Sequence, residues 1–410
     1  MIRVAITGIG CVTPIGTGVA QLDAGVRRKE SAVRTITRFD PSPFRSHNAG
    51  EIPDFRPADH LTKRSLKRMD RFSQLGVTAA RLALQDANVD PVQTDRDRFG
   101  VMMGSALGGI AFGEEQAARF QQGGLRQVEA HLALSVFGGA VSCNVAIEWG
   151  LTGPNATNAM SCASGTVAIG DGLRAIRDGH ADLMLAGGSE APLSPLCFAS
   201  FTVIRAMSTR NDDPTTASRP FDKDRDGFVM GEGSAVLVLE RYDRAVARGA
   251  KIYAELVGYG LTNDGYHMTA PKPDGREAAR AMGLALTDAH VKPDEIDYIN
   301  AHGSSTPLND STETSAIKRV FQDHVSNVAV SSTKGYYGHA LGASGAIEAA
   351  ICANALERQE LPSSINLQTP DEACDLNYLT NGDGRASTTH VLSNSFGFGG
   401  VNAALVFRKG

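Results

Sequence analysis

At 410 residues the chain is long enough for two or three domain-sized units. With 42% hydrophobic and 21% charged residues it has the composition of an ordered globular protein. A net charge of −5 argues against a general polyanion binder and so against nucleic acid, and no apolar run reaches the ~18–20 residues that cross a bilayer, so no membrane insertion is expected. Six cysteines without a CxxC pair point to a reducing, cytoplasmic setting.

The chain opens on MIRVAITGIG, a buried strand running into a glycine turn, with none of the regions of a signal peptide. A helix is expected over Phe72–Ala87, ending in LALQDANVDP and followed by the strand RFGVMMGSALGG. This stretch recurs: LALTDAHVKP lies 202 residues later and is followed by IDYINAHGSSTP. VAITGIG matches AELVGYG at an offset of 250, and ASGTVAIGDGLRAI from Ala163 matches ASGAIEAAICANAL from Ala343 at 180. The pairs keep their order, as expected of a duplicated unit with its insertions concentrated between Leu107 and Gly150. Strand cores such as Ala181–Gly187 and Asn327–Ser332 alternate with helices such as Gly165–Asp178 and Gly345–Arg358. Sheets buried between helices follow, so the fold class is α/β, in layers α-β-α-β-α. The halves are placed at 1–250, carrying a nucleophilic cysteine, and 251–410, carrying two histidines, a lysine and a glycine-rich loop.

Cys162, in NAMSCASGTV, sits where a strand turns into a helix. The positive end of the helix is expected to lower the thiol pKa from ~8.5 and make the sulfur a nucleophile for acyl groups. The other five cysteines read as buried structural residues. His302 follows a strand core, and His339 lies in the loop before the helix that mirrors the Cys162 helix. By the repeat Cys162 corresponds to Gly342, so the histidines are expected to face the cysteine across a pseudo-twofold axis. Lys334 precedes His339, and Glu348 is a carboxylate on an apolar helix, suited to pairing with Lys334. Neither histidine has the i+4 partner of a metal site, so no metal is expected. Near the C-terminal end, Gly397, Gly399 and Gly400 in NSFGFGGVNA could expose N–H groups as an oxyanion hole, with Phe396 or Phe398 closing over it. A strand rather than a helix follows this loop, which rules out both a P-loop and a dinucleotide fingerprint.

SCASG, NAHGSSTPLND, STKGYYGHALGASGAIE and NSFGFGGVNA, with RPFDKDRDGFVMGEG and KIYAELVGYG, resemble in order and spacing the β-ketoacyl-acyl-carrier-protein synthases of the thiolase superfamily, nearest to the synthase II type. The resemblance implies a duplicated thiolase-like fold. It also implies decarboxylative condensation of an acyl thioester with malonyl on acyl carrier protein, in fatty acid elongation, with no cofactor beyond the carrier's phosphopantetheine. Cys162 takes the place of the acylated nucleophile, His302 and His339 of the decarboxylation and condensation pair, Lys334 of the ordering lysine, and Glu348 of its carboxylate. Phe398 takes the place of the gate, its N–H joining that of Cys162 in the oxyanion hole. Ser304 and Thr306 match pantetheine contacts, and Leu107, Cys197, Phe198 and Phe201 fall at the acyl pocket. Because the carrier is acidic, a local basic patch is expected from Lys63, Arg64, Lys67 and Arg68 at helical spacing, with Arg126 and Arg205. QVEAHLALSVFGGAVSCN, LCFASF and GYYGH depart from the family pattern in regions that shape the acyl cavity, the dimer interface or the mouth. The alternative is therefore a type II polyketide or polyene ketosynthase. The partners implied are acyl carrier protein and either a second copy or a chain-length-factor-like subunit. A degradative thiolase would need a second cysteine in the C-terminal glycine loop; a cysteine hydrolase would fit the chemistry and release its acyl group to water.

Overall fold

The computed structural model describes residues 2–380, 384–385 and 387–410. The strands that build the site are β1 (Val4–Thr13), β2 (Phe99–Gly104), β3 (Asn155–Asn158), β4 (Leu183–Glu190) and β5 (Gly233–Arg241), then β6 (Ala254–Asn263), β7 (Tyr298–Asn300), β8 (Ala329–Ser331), β9 (His390–Gly397) and β10 (Val401–Lys409). They lie in one 11-stranded sheet in the order β8-β7-β9-β10-β6-β1-β5-β4-β2-β3, with Gly16–Thr17 added beside β1. Read outward from the centre, both halves have the same strand order. The inner strands of each half are antiparallel and the outer ones parallel. Within the sheet the halves join where β1 meets β6, at Ala5↔Glu255 and Ile6↔Ala254.

The helices are α1 (Arg71–Asp86), α2 (Ser164–Arg177), α3 (Arg276–Ala289), α4 (Pro307–Phe321) and α5 (Ser344–Arg358). Packing follows the repeated sequence. A Cβ at Gly8 would lie 2.4 Å from the Ala83 carbonyl oxygen, and one at Gly258 would lie 2.2 Å from that of Ala285. Each outer helix thus rests on a glycine of its half's first strand, and the ladder bulges there in both copies, between Ile6 and Gly8 and between Leu256 and Gly258. α1 covers one face with Phe72 and Leu75, and α3 and α4 cover the other with Met282 and Ile317. Between the sheet halves α2 and α5 lie against each other, burying Ile169, Leu173, Ile347 and Leu356. Each such side chain contributes about 1.5–3 kcal/mol of burial. The layers are α-β-α-β-α, and the two central helices carry at their N-termini the loops of Cys162 and His339.

The insertion folds as helical pieces Ile110–Gly123, Leu132–Ser135 and Ala140–Trp149. The basic run does not continue as a helix. Thr62 caps Lys63–Leu66, accepting from the Ser65 N–H at 3.1 Å, and the helix stops there, leaving Lys67 and Arg68 outside it. Among the described residues no helix is long and apolar enough to cross a membrane.

Candidate active site

β3 ends at Asn158 and the chain reaches Cys162 through Ser161, whose φ of 52° is left-handed; the mirrored loop reaches Gly342 through Leu341 at φ 41°. Such a conformation costs a non-glycine residue about 1–3 kcal/mol and persists where surrounding contacts impose it. Here the Ser164 hydroxyl donates to the Ser161 carbonyl at 2.7 Å, and the Asn158 amide donates to that of Ser164 at 3.1 Å. The strained turn places Cys162 on the wall of a cavity of about 340 Å³ that also has His302, His339, Phe396 and Phe398 on its walls. Cys162 and both histidines therefore open onto one space.

The thiol is not activated as the helix position suggests. Burial pushes it up to about 11, against the opposing effects of the Ser161 hydroxyl, the Lys334 charge and the Phe398 backbone N–H. One helix end does not offset the loss of water around a thiolate, so Cys162 rests as a thiol. The Phe398 backbone N–H is nevertheless among the groups that favour charge on this sulfur. Gly397 lies so close that a Cβ there would be 3.1 Å from the Cys162 nitrogen, and Gly399 and Gly400 turn the loop through φ of 83° and 77°.

Lys334 is fully buried, ion-paired with the equally buried Glu348, and donates to the His302 carbonyl at 2.6 Å. The Glu313 carboxylate accepts the N–H groups of His302 and Gly303, both at 2.8 Å, and fixes the other side of that turn. His339 Nδ1 lies 2.8 Å from the Ser344 hydroxyl, and the two imidazole centroids are 5.3 Å apart, edge to face. Burial and the Lys334 charge hold both histidines well below the usual 6.5, so both are neutral. Glu348→Ala should destabilise the fold by about 3–5 kcal/mol, because the Lys334 charge would be left buried and unpaired. A thermal or denaturant melt checks this; a change under about 1 kcal/mol would mean the pair is not holding the loop.

The β-ketoacyl synthase N-terminal domain matches residues 1–245 and the C-terminal domain residues 253–368. The chain belongs to the β-ketoacyl synthase family. It is an enzyme of the acyltransferase class. A 3-oxoacyl-[acyl-carrier-protein] synthase 2 of Synechocystis is 46% identical over 408 residues, covering 99% of this chain and 98% of that protein. The synthase 2 of Staphylococcus aureus is 43% identical, covering 100% and 98%. Among solved structures, a β-ketoacyl synthase from Burkholderia phymatum superposes with a TM-score of 0.93 at 37% identity, covering all of both chains. The ishigamide ketosynthase/chain length factor gives 0.93 at 36%, covering 100% of this chain and 99% of that one.

Within this synthase fold, Ser304 and Thr306 border the cavity with their hydroxyls 2.9 Å apart, and Thr306 also caps α4. Leu107, Cys197, Phe198 and Phe201 share one apolar cluster with Cys162. Only Phe201 reaches the open cavity, stacked on Phe398 with centroids 6.2 Å apart. Phe198 lies behind, packed edge-on between Phe39 and Phe44. Tyr336 and Tyr337 of GYYGH do not shape the mouth: both are buried in the central core, with their hydroxyls on Ser363 and Thr333.

Of the basic residues only Arg205 borders the cavity. Lys63, Arg64, Lys67 and Arg126 are exposed, whereas Arg68 turns inward to Asn144 at 3.1 Å and Glu148 at 3.3 Å. The reading of five inert buried cysteines also needs correction, because Cys143 is exposed. Sequence reasoning missed Glu313, Ser344 and Glu190. Ser344 was within reach, since it repeats Ser164 at the same offset of 180.

Proposed function

We propose that the chain condenses an acyl group held on Cys162 with malonyl on acyl carrier protein, giving 3-oxoacyl-acyl carrier protein and CO2, in fatty acid elongation. The observation that carries this reading is one cavity bordered by a cysteine, two neutral imidazoles and the Phe398 loop. In the first half-reaction Cys162 sulfur bonds to the acyl carbonyl carbon, and the pantetheine sulfur leaves with the proton that Cys162 gives up. The oxyanion that forms is met by the N–H groups of Cys162 and Phe398. In the second, the malonyl C–C bond breaks and CO2 departs. The electron pair becomes an enolate whose oxygen accepts hydrogen bonds from the imidazole N–H groups of His302 and His339. The enolate carbon attacks the acyl-Cys162 carbonyl, the C–S bond breaks, and the sulfur regains a proton. Neutral imidazoles suit this role, as a donor to a developing enolate needs an N–H and no net charge. The chemistry calls on no metal or redox cofactor.

The partner chemistry belongs to the same reading. Acyl carrier protein approaches the mouth at Arg205, and a second subunit covers the exposed apolar side chains Leu134, Phe137 and Ile147, the last on the Ala140–Trp149 helix packed against the outermost strand β3. A second reading, a type II polyketide ketosynthase paired with a chain-length-factor-like subunit, is supported by the likeness to the ishigamide ketosynthase/chain length factor. It is also supported by the likeness to a solved ketosynthase described as a type II PKS acyl-carrier protein in complex with its ketosynthase bound to the hexaketide (36% identity, TM-score 0.92, covering 100% of this chain and 99% of that one). Incubation with acyl and malonyl carrier thioesters should yield the 3-oxoacyl thioester by mass spectrometry. Release of free acid alone would make the chain a hydrolase.

The pH dependence has a definite sign. Because both histidines are held well below 6.5, condensation from preformed acyl-enzyme should stay flat as pH falls through 6.5 and drop only in more acid solution. Half-loss near 6.5 would contradict neutral buried imidazoles. Stability moves the same way: the unfolded chain takes up these protons below 6.5 and the folded chain does not, so their contribution is intact above 6.5 and declines below it.

A further inference from the structure

Glu190 ends β4 with no exposure to solvent, and among the described residues no cation pairs with it. Its Oε2 accepts the N–H of Ala106 at 2.6 Å and that of Gly342 at 3.0 Å. Its Oε1 accepts the N–H of Leu107 at 3.1 Å and the hydroxyl of Ser105 at 3.2 Å, and that hydroxyl in turn accepts from Gly108. The donors come from both halves: the 105–108 loop follows β2, whereas Gly342 lies in the loop before α5. There is no slack at the junction, since a Cβ on Gly342 would lie 2.3 Å from the Ala106 nitrogen and 2.6 Å from Glu190 Oε2. Only a carboxylate supplies enough acceptor sites for four donors at once, and burying one without a cation is costly. A hydroxyl or an amide offers a single acceptor oxygen, too few sites for all four donors.

What the clamp holds is the wall around the nucleophile. Leu107 on one loop and Leu341 on the other belong to the apolar cluster that contains Cys162, and Leu341 also borders the open cavity. We infer that Glu190 is a positioning residue that fixes the width of the acyl end of the site by tying the Leu107 and Leu341 loops together, a role that rests on the condensation proposed above. Glu190 touches no reacting atom and acts through those two side chains. Glu190→Gln keeps the size and turns one oxygen into an N–H: at the Oε2 position it faces the Ala106 and Gly342 donors and the tie between the loops is lost, and at the Oε1 position it faces Leu107 and loosens that loop, so in either orientation the Leu107 loop loses a bond.

The test loads the full-length chain with a short and a long straight-chain acyl carrier thioester and measures acyl-Cys162 by mass spectrometry, with the fold monitored by a thermal melt. Fit in such pockets is worth about tenfold or more per methylene-sized change. The long-to-short ratio of acylation should therefore rise about tenfold in Glu190→Gln. A ratio within about twofold of the parent, with both rates reduced together, would indicate a merely structural role and overturn the inference. Should that variant fail to fold, Glu190→Asp is read the same way, because its carboxylate sits one methylene short of the two loops: a raised ratio supports the clamp, and an unchanged one overturns it. A parent chain that forms no acyl-Cys162 with either thioester would instead overturn the condensation reading itself.

Discussion

Replacing Cys162 with alanine should abolish acyl-enzyme formation, lowering acyl transfer by at least about 10⁴-fold, or roughly 5.5 kcal/mol of barrier. The loss should be chemical, because the sulfur's partners are weak, the Ser161 hydroxyl at 3.8 Å and the Phe398 backbone N–H, and its removal leaves no strong partner unsatisfied. The turn that presents it is held by backbone and side-chain bonds of Ser161, Ser164 and Asn158, none of which involves the sulfur. The variant should melt close to the parent and show no acyl adduct in intact-protein mass spectrometry. An adduct that persisted at full rate would place the nucleophile elsewhere, with exposed Cys143 the first place to look.

Alanine at His302 or His339 should separate the two half-reactions. In the proposed condensation each imidazole supplies a donor to the enolate oxygen, and removing one such donor costs about 10²–10³ in rate, some 3–4 kcal/mol. Loading of Cys162 should fall by less than about tenfold, because the oxyanion of that step rests on the N–H groups of Cys162 and Phe398 rather than on the imidazoles. The two histidines are anchored independently, His302 through its backbone to Glu313 and Lys334, and His339 through Nδ1 to Ser344. Neither substitution therefore dismantles the other's support. Separate assays of acyl-Cys162 and of 3-oxoacyl product measure the split. Condensation at parental rate in either variant would remove that histidine from the mechanism.

The duplication could be read from the sequence because its physical cause is local. A helix lying on a strand needs glycine beneath it, and Gly8 and Gly258 recur with the LAL-DA helices that press on them. Cys162, His302, His339 and Lys334 were legible for a related reason: each follows a strand end or opens a helix, so its surroundings in the chain define its place. The ionisation of Cys162 was not legible. The helix end is a local feature and favours the thiolate, whereas burial depends on contacts from the whole fold and prevails. Glu313 and Glu190 stayed hidden because what they hold is backbone from other loops; Glu190 and Gly342 are 152 residues apart. The basic run failed as a continuous helix because it stops at Leu66 and Arg68 turns to Glu148, and neither partner choice nor helix length is set by the spacing of charges alone.

The most direct measurement of the central claim is a single turnover of isolated acyl-enzyme. Protein acylated on Cys162 is freed of excess thioester and mixed with malonyl-acyl carrier protein, and CO2 and products are counted. One CO2 and one 3-oxoacyl thioester are expected for each acyl group that leaves Cys162. Acyl groups leaving as free acid, or CO2 released with no new carbon–carbon bond, would contradict it.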